Sequence, residues 1–484
     1  MAVDLRSPLY ILGALLAVFS FSMLVPALAD WIDGGPDAAM FFICFIVTLF
    51  AGVTLLAAFR PREKVSVTVN QAFVLTPLAW LVLTLFAALP FAVSSIHVSY
   101  TDAFFEAMSG VTTTGSTVLV GLDRMPSGIL WWRSLLNWLG GVGFIVMAVA
   151  ILPFLSIGGM QLFRTESSDR TEKILPRVSQ VSLAIIVFYL LLSAVSMVAL
   201  WLSGLTLFEA VHHTMSAVAT GGFSTHDASI GGLNNKAAEY VLAAVMFLGG
   251  ATFFLFINAW RIRSAGFLRD SQLQVYFLLV AVCTLLLMGW RLGSGDFELE
   301  QTFRESLFSV VSIVTTTGFA TADYTTWGDF PIVLMFFLTF AGGCTGSTAG
   351  GVKIFRYQIL CQMALAQLRR LTHPHAVLVP RYNGREVSRE VINSVAGFVF
   401  LYFFCFALLA VGLGLFGLDL DTALSGAATA LGNVGPGIGD TIGPAGNFKP
   451  LPDGAKWLLA FGMLLGRLEL LTLLVLLTPG FWRS

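Results

Sequence analysis

Charge is what this sequence lacks. Of its 484 residues only 11% are Asp, Glu, Lys or Arg, while 57% are hydrophobic; a soluble domain carries roughly 25% charged residues. Such a chain cannot cover itself with a solvated surface, which excludes an ordinary soluble enzyme or binding module. The signs nearly balance, 27 basic against 28 acidic residues for a net charge of −1. No basic arm or zinc spacing is present, so nothing argues for a nucleic-acid partner. The five cysteines (Cys44, Cys283, Cys344, Cys361 and Cys405) stand singly, mostly in apolar runs and without CxxC spacing, and read as packing residues. No set of acids, histidines and a nucleophile converges at one depth, so a membrane enzyme has no support. His212 and His213 are neighbours in a helical run and point in different directions.

What the chain has in abundance is apolar runs of membrane-crossing length. They fall near 8–29, 38–59, 71–96, 131–157, 181–203, 237–259, 273–290, 331–360, 391–417 and 455–479, predicting an all-α polytopic membrane protein with ten spans. Arg6 followed by an apolar run and "ALA" at 27–29 imitates a signal peptide. The run is span-length rather than the 7 to 15 residues of a signal core, so it reads as the first helix. Basic residues gather in alternate loops: Arg6; Arg60, Arg62 and Lys64; Arg164, Arg170, Lys173 and Arg177; Arg261, Arg263 and Arg269; seven from Lys353 to Arg389; and Arg483. The positive-inside rule makes those loops, and both termini, cytoplasmic. The opposite loops carry Asp30, Asp33, Asp37, Asp102, Asp123, Asp227, Asp323, Asp329 and Asp440, and face outward.

Four of the outer loops repeat one pattern: "DAFFEAMSGVTTTGST", "EAVHHTMSAVATGGFST", "ESLFSVVSIVTTTGFAT" and "TALSGAATALGNVGPG". With Gly115, Gly222, Gly318 and Gly435 in register, the sixth residue before is Ser109, Ser216, Ser312 or Thr429, and the thirteenth is Asp102, Glu209, Glu305 or Thr422. An acid or hydroxyl ahead of a helical run marks the start of a short helix. About ten residues of helix span roughly 15 Å, half the hydrocarbon thickness, so each segment enters the membrane and turns back. Four such helices would aim the negative ends of their dipoles at one volume and favour a cation there. The Thr- and Gly-rich turns would supply backbone carbonyls and hydroxyls as ligands. Irregular backbone at membrane depth is tolerated only where it lines a pathway or is packed in protein.

The chain thus divides into two leading helices (1–65) and four pore units, 66–178, 179–270, 271–388 and 389–484. The second helices of the units carry an alignable set, "WLGGVG", "FLGGAT", "FAGGCT" and "LLGRLE", with paired glycines in the first three. Gly141, Gly250 and Gly343 align with Arg467. Paired glycines are most simply close-packing positions. An arginine in mid-span costs at least about 2.5 to 3.5 kcal/mol and marks a pathway, so Arg467 is expected below the turns, where its charge would slow a passing cation. The third unit alone adds "CTGSTAGG" at 344–351. It lacks the GxxxxGK[ST] order of a phosphate cradle, and it is expected to leave the helix as an intramembrane plug.

These residues resemble the Trk/Ktr/HKT superfamily of potassium transporters, most of all its bacterial TrkH-type membrane subunits. The resemblance rests on the four turn motifs, the two extra N-terminal spans, "GGCTGSTAGGVK" and the single arginine of the last span, and covers nearly the whole chain. It implies four pseudo-symmetric helix, pore-helix, helix units around a central K+ pore, in a homodimer of the bacterial inner membrane. It also implies regulation by a cytoplasmic nucleotide-binding subunit of the TrkA type, and no organic cofactor. The selectivity filter it implies is Thr112, Thr113, Thr114 and Gly115; Ala219, Thr220, Gly221 and Gly222; Thr315, Thr316, Thr317 and Gly318; Gly432, Asn433, Val434 and Gly435. The gate would be Gly343, Cys344, Thr345, Gly346, Ser347, Thr348, Ala349, Gly350 and Gly351 with Arg467. In plant relatives a serine at the first filter glycine goes with sodium permeability; Gly115 resembles the potassium-selective pattern. Asn433 and Pro436 depart from the threonine theme and leave the geometry of the fourth quarter open. The basic loop from Lys353 to Arg389 could bind anionic lipid or dock the partner subunit. The competing function is an ion-coupled potassium symporter working by alternating access.

Overall fold

The computed structural model describes residues 4–61, 67–150, 178–262, 269–295, 298–375 and 380–483. It is helical, and among the described residues six helices are long and apolar enough to cross a membrane: Arg6–Ile32, Ala38–Ala58, Val69–Val93, Ser182–Leu202, Ser271–Ser294 and Arg389–Leu415. At 1.5 Å per residue, their 21 to 27 residues reach about 30 to 40 Å, enough for the hydrocarbon core. Each is apolar on nearly every face and exposes most of its surface, as expected where lipid is the solvent. The first is helical through a 3-10 turn at Phe21–Met23, just ahead of Pro26, whose ring removes one hydrogen bond. It crosses the second so closely that a Cβ on Gly13 or Gly52 would strike the partner's backbone, a small-residue crossing.

The repeats follow. Each begins with one of the long helices, from Val69, Val178, Ser271 or Arg389. A short helix comes next: Tyr100–Val111, Leu207–Val218, Leu299–Val314 or Leu420–Gly432. Three of these start at a side-chain cap, with Ser99, Thr206 and Asp419 accepting from the backbone N–H of Asp102, Glu209 and Thr422. The aligned acids and hydroxyl are therefore third residues of the first turn. Glu305 is not: the third short helix begins at Leu299, and Glu305 lies inside it, paired with Arg291 at 2.8 Å.

The second helices differ most from the sequence expectation. The run 131–157 is the helix Ser127–Ala150, with the remainder outside the described residues, as are Arg62, Lys64, Arg164, Arg170, Lys173, Arg177, Arg263 and the 65/66 boundary. The other three runs, 237–259, 331–360 and 455–479, are each two helices. Lys236–Gly250 breaks at Ala251 before Phe253–Ile262. Asp329–Thr339 is followed by irregular backbone to Lys353, and then by Ile354–Thr372. Asp453–Arg467 turns through 104° into the segment Leu471–Leu477, because Glu469 and Leu470 both take positive φ. At the breaks of the second and third repeats small residues leave backbone groups free, and each repeat satisfies the other's: Cys344 and Thr348 N–H donate to the Gly250 and Gly249 carbonyls, and Phe253 N–H to that of Gly346.

One departure from an all-helical chain lies in the basic loop. Arg381–Tyr382 pairs antiparallel with Arg385–Glu386 around Asn383-Gly384, both at positive φ, the two-residue turn that matches strand twist. Of the cysteines, Cys361 is exposed and the other four are buried and free.

Candidate functional site: a four-part ring and the loop beneath it

The short helices end in one shared backbone turn. The N–H groups of Thr114, Gly221, Thr317 and Val434 each return to the carbonyl of the residue five before, Ser109, Ser216, Ser312 or Thr429, at 2.8 to 3.0 Å. Thr113, Thr220, Thr316 and Asn433 sit at φ of 50° to 56°, and the glycine two residues on is also left-handed in every turn. For a β-branched threonine that conformation is strained, by about 1 to 3 kcal/mol, while asparagine adopts it readily. Asn433 therefore keeps the fourth quarter in the same backbone shape as the other three. The sequence pointed to the glycines; the strained threonines were not legible, because nothing in "TTTG" distinguishes its second threonine.

The four turns meet in cyclic order. The place of a Cβ on Gly115 is taken by the Gly221 carbonyl oxygen, on Gly222 by that of Thr317, on Gly318 by that of Val434, and on Gly435 by that of Thr114. Glycine is required at each, both for its φ and for this contact. Several of the threonine hydroxyls bond one another. Thr112 and Thr114 hydroxyls bond each other at 2.8 Å, those of Thr315 and Thr317 at 2.7 Å, and Asn433 Nδ2 donates to Thr114 at 3.0 Å. Those groups stiffen the ring. On the side of the residues that follow the turns, the four glycines floor a cavity of about 300 Å³ whose wall includes Thr117, Arg133, His226 and Asn447.

On the side of the short helices' ends lies the third repeat's irregular segment. It runs from Phe340 to Lys353, wider than the expected 344–351. Cys344 N–H donates to the Gly250 carbonyl at 2.8 Å, and Thr348 N–H to that of Gly249 at 3.2 Å, so the second repeat's helix end feeds it. Thr345 N–H donates to Gln272 at 2.7 Å, and Ser347 Oγ to the Cys344 carbonyl at 2.5 Å. Gly350 N–H donates to Thr316 Oγ1 at 2.7 Å, a direct bond from the loop to the ring. Gly350 also packs against the Gly432 carbonyl and Asn433. Gly343 touches Gly250, Gly351 and Gly342 touch each other, and Ala349 is buried. Gly346 is left-handed, with its carbonyl accepting from Phe253 N–H.

Arg467 is 1% exposed. Its Nη1 donates to the Thr348 carbonyl at 2.9 Å, and its guanidinium lies 4.0 Å from the centre of the Phe144 ring, a cation–π contact. Glu469 does not pair with it; that carboxylate holds Arg356 at 2.5 Å, since the helix ends at Arg467 and the chain turns away. Lys353 and Arg356 are corrections. Both were assigned to the basic cytoplasmic loop, and both are buried, with Lys353 Nζ donating to the Ala349 carbonyl and standing 5.3 Å from the Phe144 centre. The signal missed was their position at the end of an apolar run, where an internal break brings charges back into the protein. The histidines are structural. His212 Nδ1 bonds the Phe208 carbonyl and His213 Nδ1 that of Glu209, at 2.7 and 2.8 Å.

Membrane-length helices enclosing a ring of four re-entrant turns, floored by glycine and closed by irregular backbone, define a class: the cation transport proteins of the membrane. The chain belongs to the TrkH family, whose cation-transport-protein model matches residues 38–482. It is 45% identical to the Trk system potassium uptake protein TrkI of Halomonas elongata, over 98% of this chain and 96% of the relative. It is 38% identical to the Trk system potassium uptake protein TrkH of Escherichia coli, over 98% of each. The crystal structure of the potassium transporter TrkH from Vibrio parahaemolyticus superposes with a TM-score of 0.91 at 37% identity, covering 99% of this chain and 100% of that one. These are transporters, not enzymes.

Proposed function

We propose that this protein takes up potassium across the bacterial inner membrane through a channel-like pore, with Thr112–Gly115, Ala219–Gly222, Thr315–Gly318 and Gly432–Gly435 as its selectivity filter. The observation that carries the reading is the cyclic contact of four turns of one backbone shape, each glycine against the next quarter's carbonyl. A ring of carbonyls held at fixed spacing can replace the hydration shell of K+. The names of the relatives above support potassium as the ion.

The segment 343–351 with Arg467 is the gate. The loop is tied to the filter through Gly350 and Thr316 and to the fourth repeat through Thr348 and Arg467, on the side a dehydrated ion must leave. Opening breaks these bonds and draws the arginine away from the path. The division into two leading helices and four pore units follows the repeat of these elements. Both termini face the cytoplasm, which places the vestibule outside and the loop beneath it. A homodimer, anionic lipid at the basic loop and a nucleotide-binding regulatory subunit complete the assembly; the hairpin at Arg381–Glu386 is the exposed docking feature.

The test is uptake of K+ or Rb+ into cells deprived of their own potassium uptake, with Na+ as competitor. Uptake absent, or inhibited by equal Na+, overturns the reading. Unitary currents from the reconstituted protein exclude the alternating-access symporter, which turns over one cycle at a time.

A further inference from the structure

Just past the ring, each junction between neighbouring quarters is bridged by a different side chain. Ser229 Oγ accepts from Ala320 N–H at 3.2 Å between the second and third, and Tyr324 OH donates to the Gly437 carbonyl at 3.2 Å between the third and fourth. Ser116 Oγ donates to the Gly435 carbonyl at 2.8 Å between the fourth and first. The bridge between the first and second quarters is Arg133, which reaches the second quarter at Ser224 and is held within the first by a buried ion pair. Arg133 Nε donates to Glu106 Oε1 at 2.8 Å, with side-chain exposures of 2% and 0%.

Arg133 is bonded on both sides of the junction, and Glu106 anchors it on the first. Arg133 Nη1 donates to the Ser224 carbonyl at 2.6 Å and Nη2 to Thr117 Oγ1 at 3.3 Å. Glu106 accepts in addition from Val118 N–H and from Thr117 Oγ1, each at 2.9 Å. The guanidinium lies over Phe223, 4.2 Å from its centre. Thr117 and Ser224 occupy the same register, two residues beyond Gly115 and Gly222. Every nitrogen of the guanidinium has an acceptor, so the fork is fixed in one plane.

We infer that Glu106 and Arg133 are a positioning pair that sets the spacing of the first two filter quarters and thereby the preference for potassium over sodium. The inference rests on the filter reading given above. A carbonyl ring distinguishes ions by the number and field of the oxygens it keeps in place. Ion pairs cross two other junctions, Arg304–Glu239 between the second and third quarters and Lys456–Asp102 between the fourth and first. The Arg133 bridge differs in being forked, with all three guanidinium nitrogens bonded, to Glu106 and to Ser224 and Thr117, which follow two neighbouring turns, and so holds those two segments stiffly. A buried pair is weak evidence for stability, since apolar replacements of both partners are often neutral, whereas loss of one partner strands a charge. The separable contribution is therefore geometry.

The experiment measures K+ uptake against Na+ competition, with folded yield and melting temperature read in parallel. Arg133→Lys keeps the charge beside Glu106 but loses the fork to Ser224. The double variant Glu106→Gln/Arg133→Met removes both charges. Both are expected to fold and to lose at least about tenfold in discrimination, equivalent to ~1.4 kcal/mol between the two ions. Thr117→Val, a same-shaped change that strands no full charge, reads the pair's hold on the first quarter if the ion-pair variants do not fold. Discrimination equal to the parent in every variant that folds overturns the proposal. Gly115→Ser is the control for the reading beneath it: if that variant shifts discrimination and the Arg133 variants do not, the pair alone is refuted. If neither shifts it, the filter reading fails.

Discussion

The guanidinium of Arg467 hydrogen-bonds the backbone carbonyl of Thr348 at 2.9 Å, joining the last span of the fourth repeat to the irregular loop of the third. The bond fixes a full positive charge at the loop's inner face and uses only one of its nitrogens; Nε and Nη2 have no partner. At an effective dielectric of about 20, a unit charge about 8 Å from a passing cation costs ~2 kcal/mol. Arg467→Ala removes both the charge and the tie, so Rb+ flux is expected to rise on the order of tenfold. Unchanged flux in correctly inserted protein removes Arg467 from the mechanism.

The loop's two informative glycines respond differently to alanine. A Cβ on Gly350 would collide with the Gly432 carbonyl and press on Asn433, pushing away the N–H that donates to Thr316. Gly346 has only Thr252 Cγ2 nearby, at 3.4 Å, and its penalty is its φ of +75°, about 1 kcal/mol. Gly350→Ala is expected to raise resting flux several-fold, and Gly346→Ala to change it less. Tracer efflux from proteoliposomes orders the two; equal effects contradict the contact between Gly350 and the fourth quarter.

Much of this was legible because lipid forces it to be. The ten apolar runs, the four registered turns and Arg467 are all consequences of a solvent that cannot hydrogen-bond. Hydropathy cannot see where an apolar run stops being helical, and so 237–259 and 455–479 read as single spans, while the break in 331–360 was legible only from its glycines. The break at Glu469 and Leu470 carries no glycine or proline at all; tertiary contacts set it, through the bond of Glu469 to Arg356. The Glu106–Arg133 pair was invisible for a related reason. Its residues are 27 apart and became partners only when the short helix folded back against the second helix.

The ring glycines carry two constraints each, and serine violates both. At Gly222 a Cβ would meet the Thr317 carbonyl, and at Gly115 that of Gly221, while φ is +73° and +86°. Gly115→Ser and Gly222→Ser are both expected to displace one carbonyl of the ring and admit Na+, with loss of at least about tenfold in K+ preference. Growth at limiting K+ in high Na+ reads the change. Parental growth in both variants would mean that the ring tolerates a Cβ, contrary to its packing.

The vestibule wall has its own acid dependence. Asp123 bonds His226 Nδ1 at 2.5 Å, and Asp227 accepts from Gly121 and Leu122 N–H at 2.9 to 3.1 Å, so two contacts join the first and second outer loops. The hydrogen bond from His226 is the largest cause holding the Asp123 carboxyl below its ordinary value of 3.8. A carboxyl whose pKa is lowered on folding contributes stability above its unfolded value and loses it as pH falls through the lowered one. The Asp123 contact is therefore present at neutral and mildly acid pH and disappears only below about pH 4. Because the aspartate is half exposed, solvent screening keeps the effect small. Melting of the parent and of Asp123→Asn is expected to differ slightly at pH 7 and to converge below pH 4. Convergence already at pH 6 would overturn the assignment of the acid sensitivity to the Asp123 carboxyl.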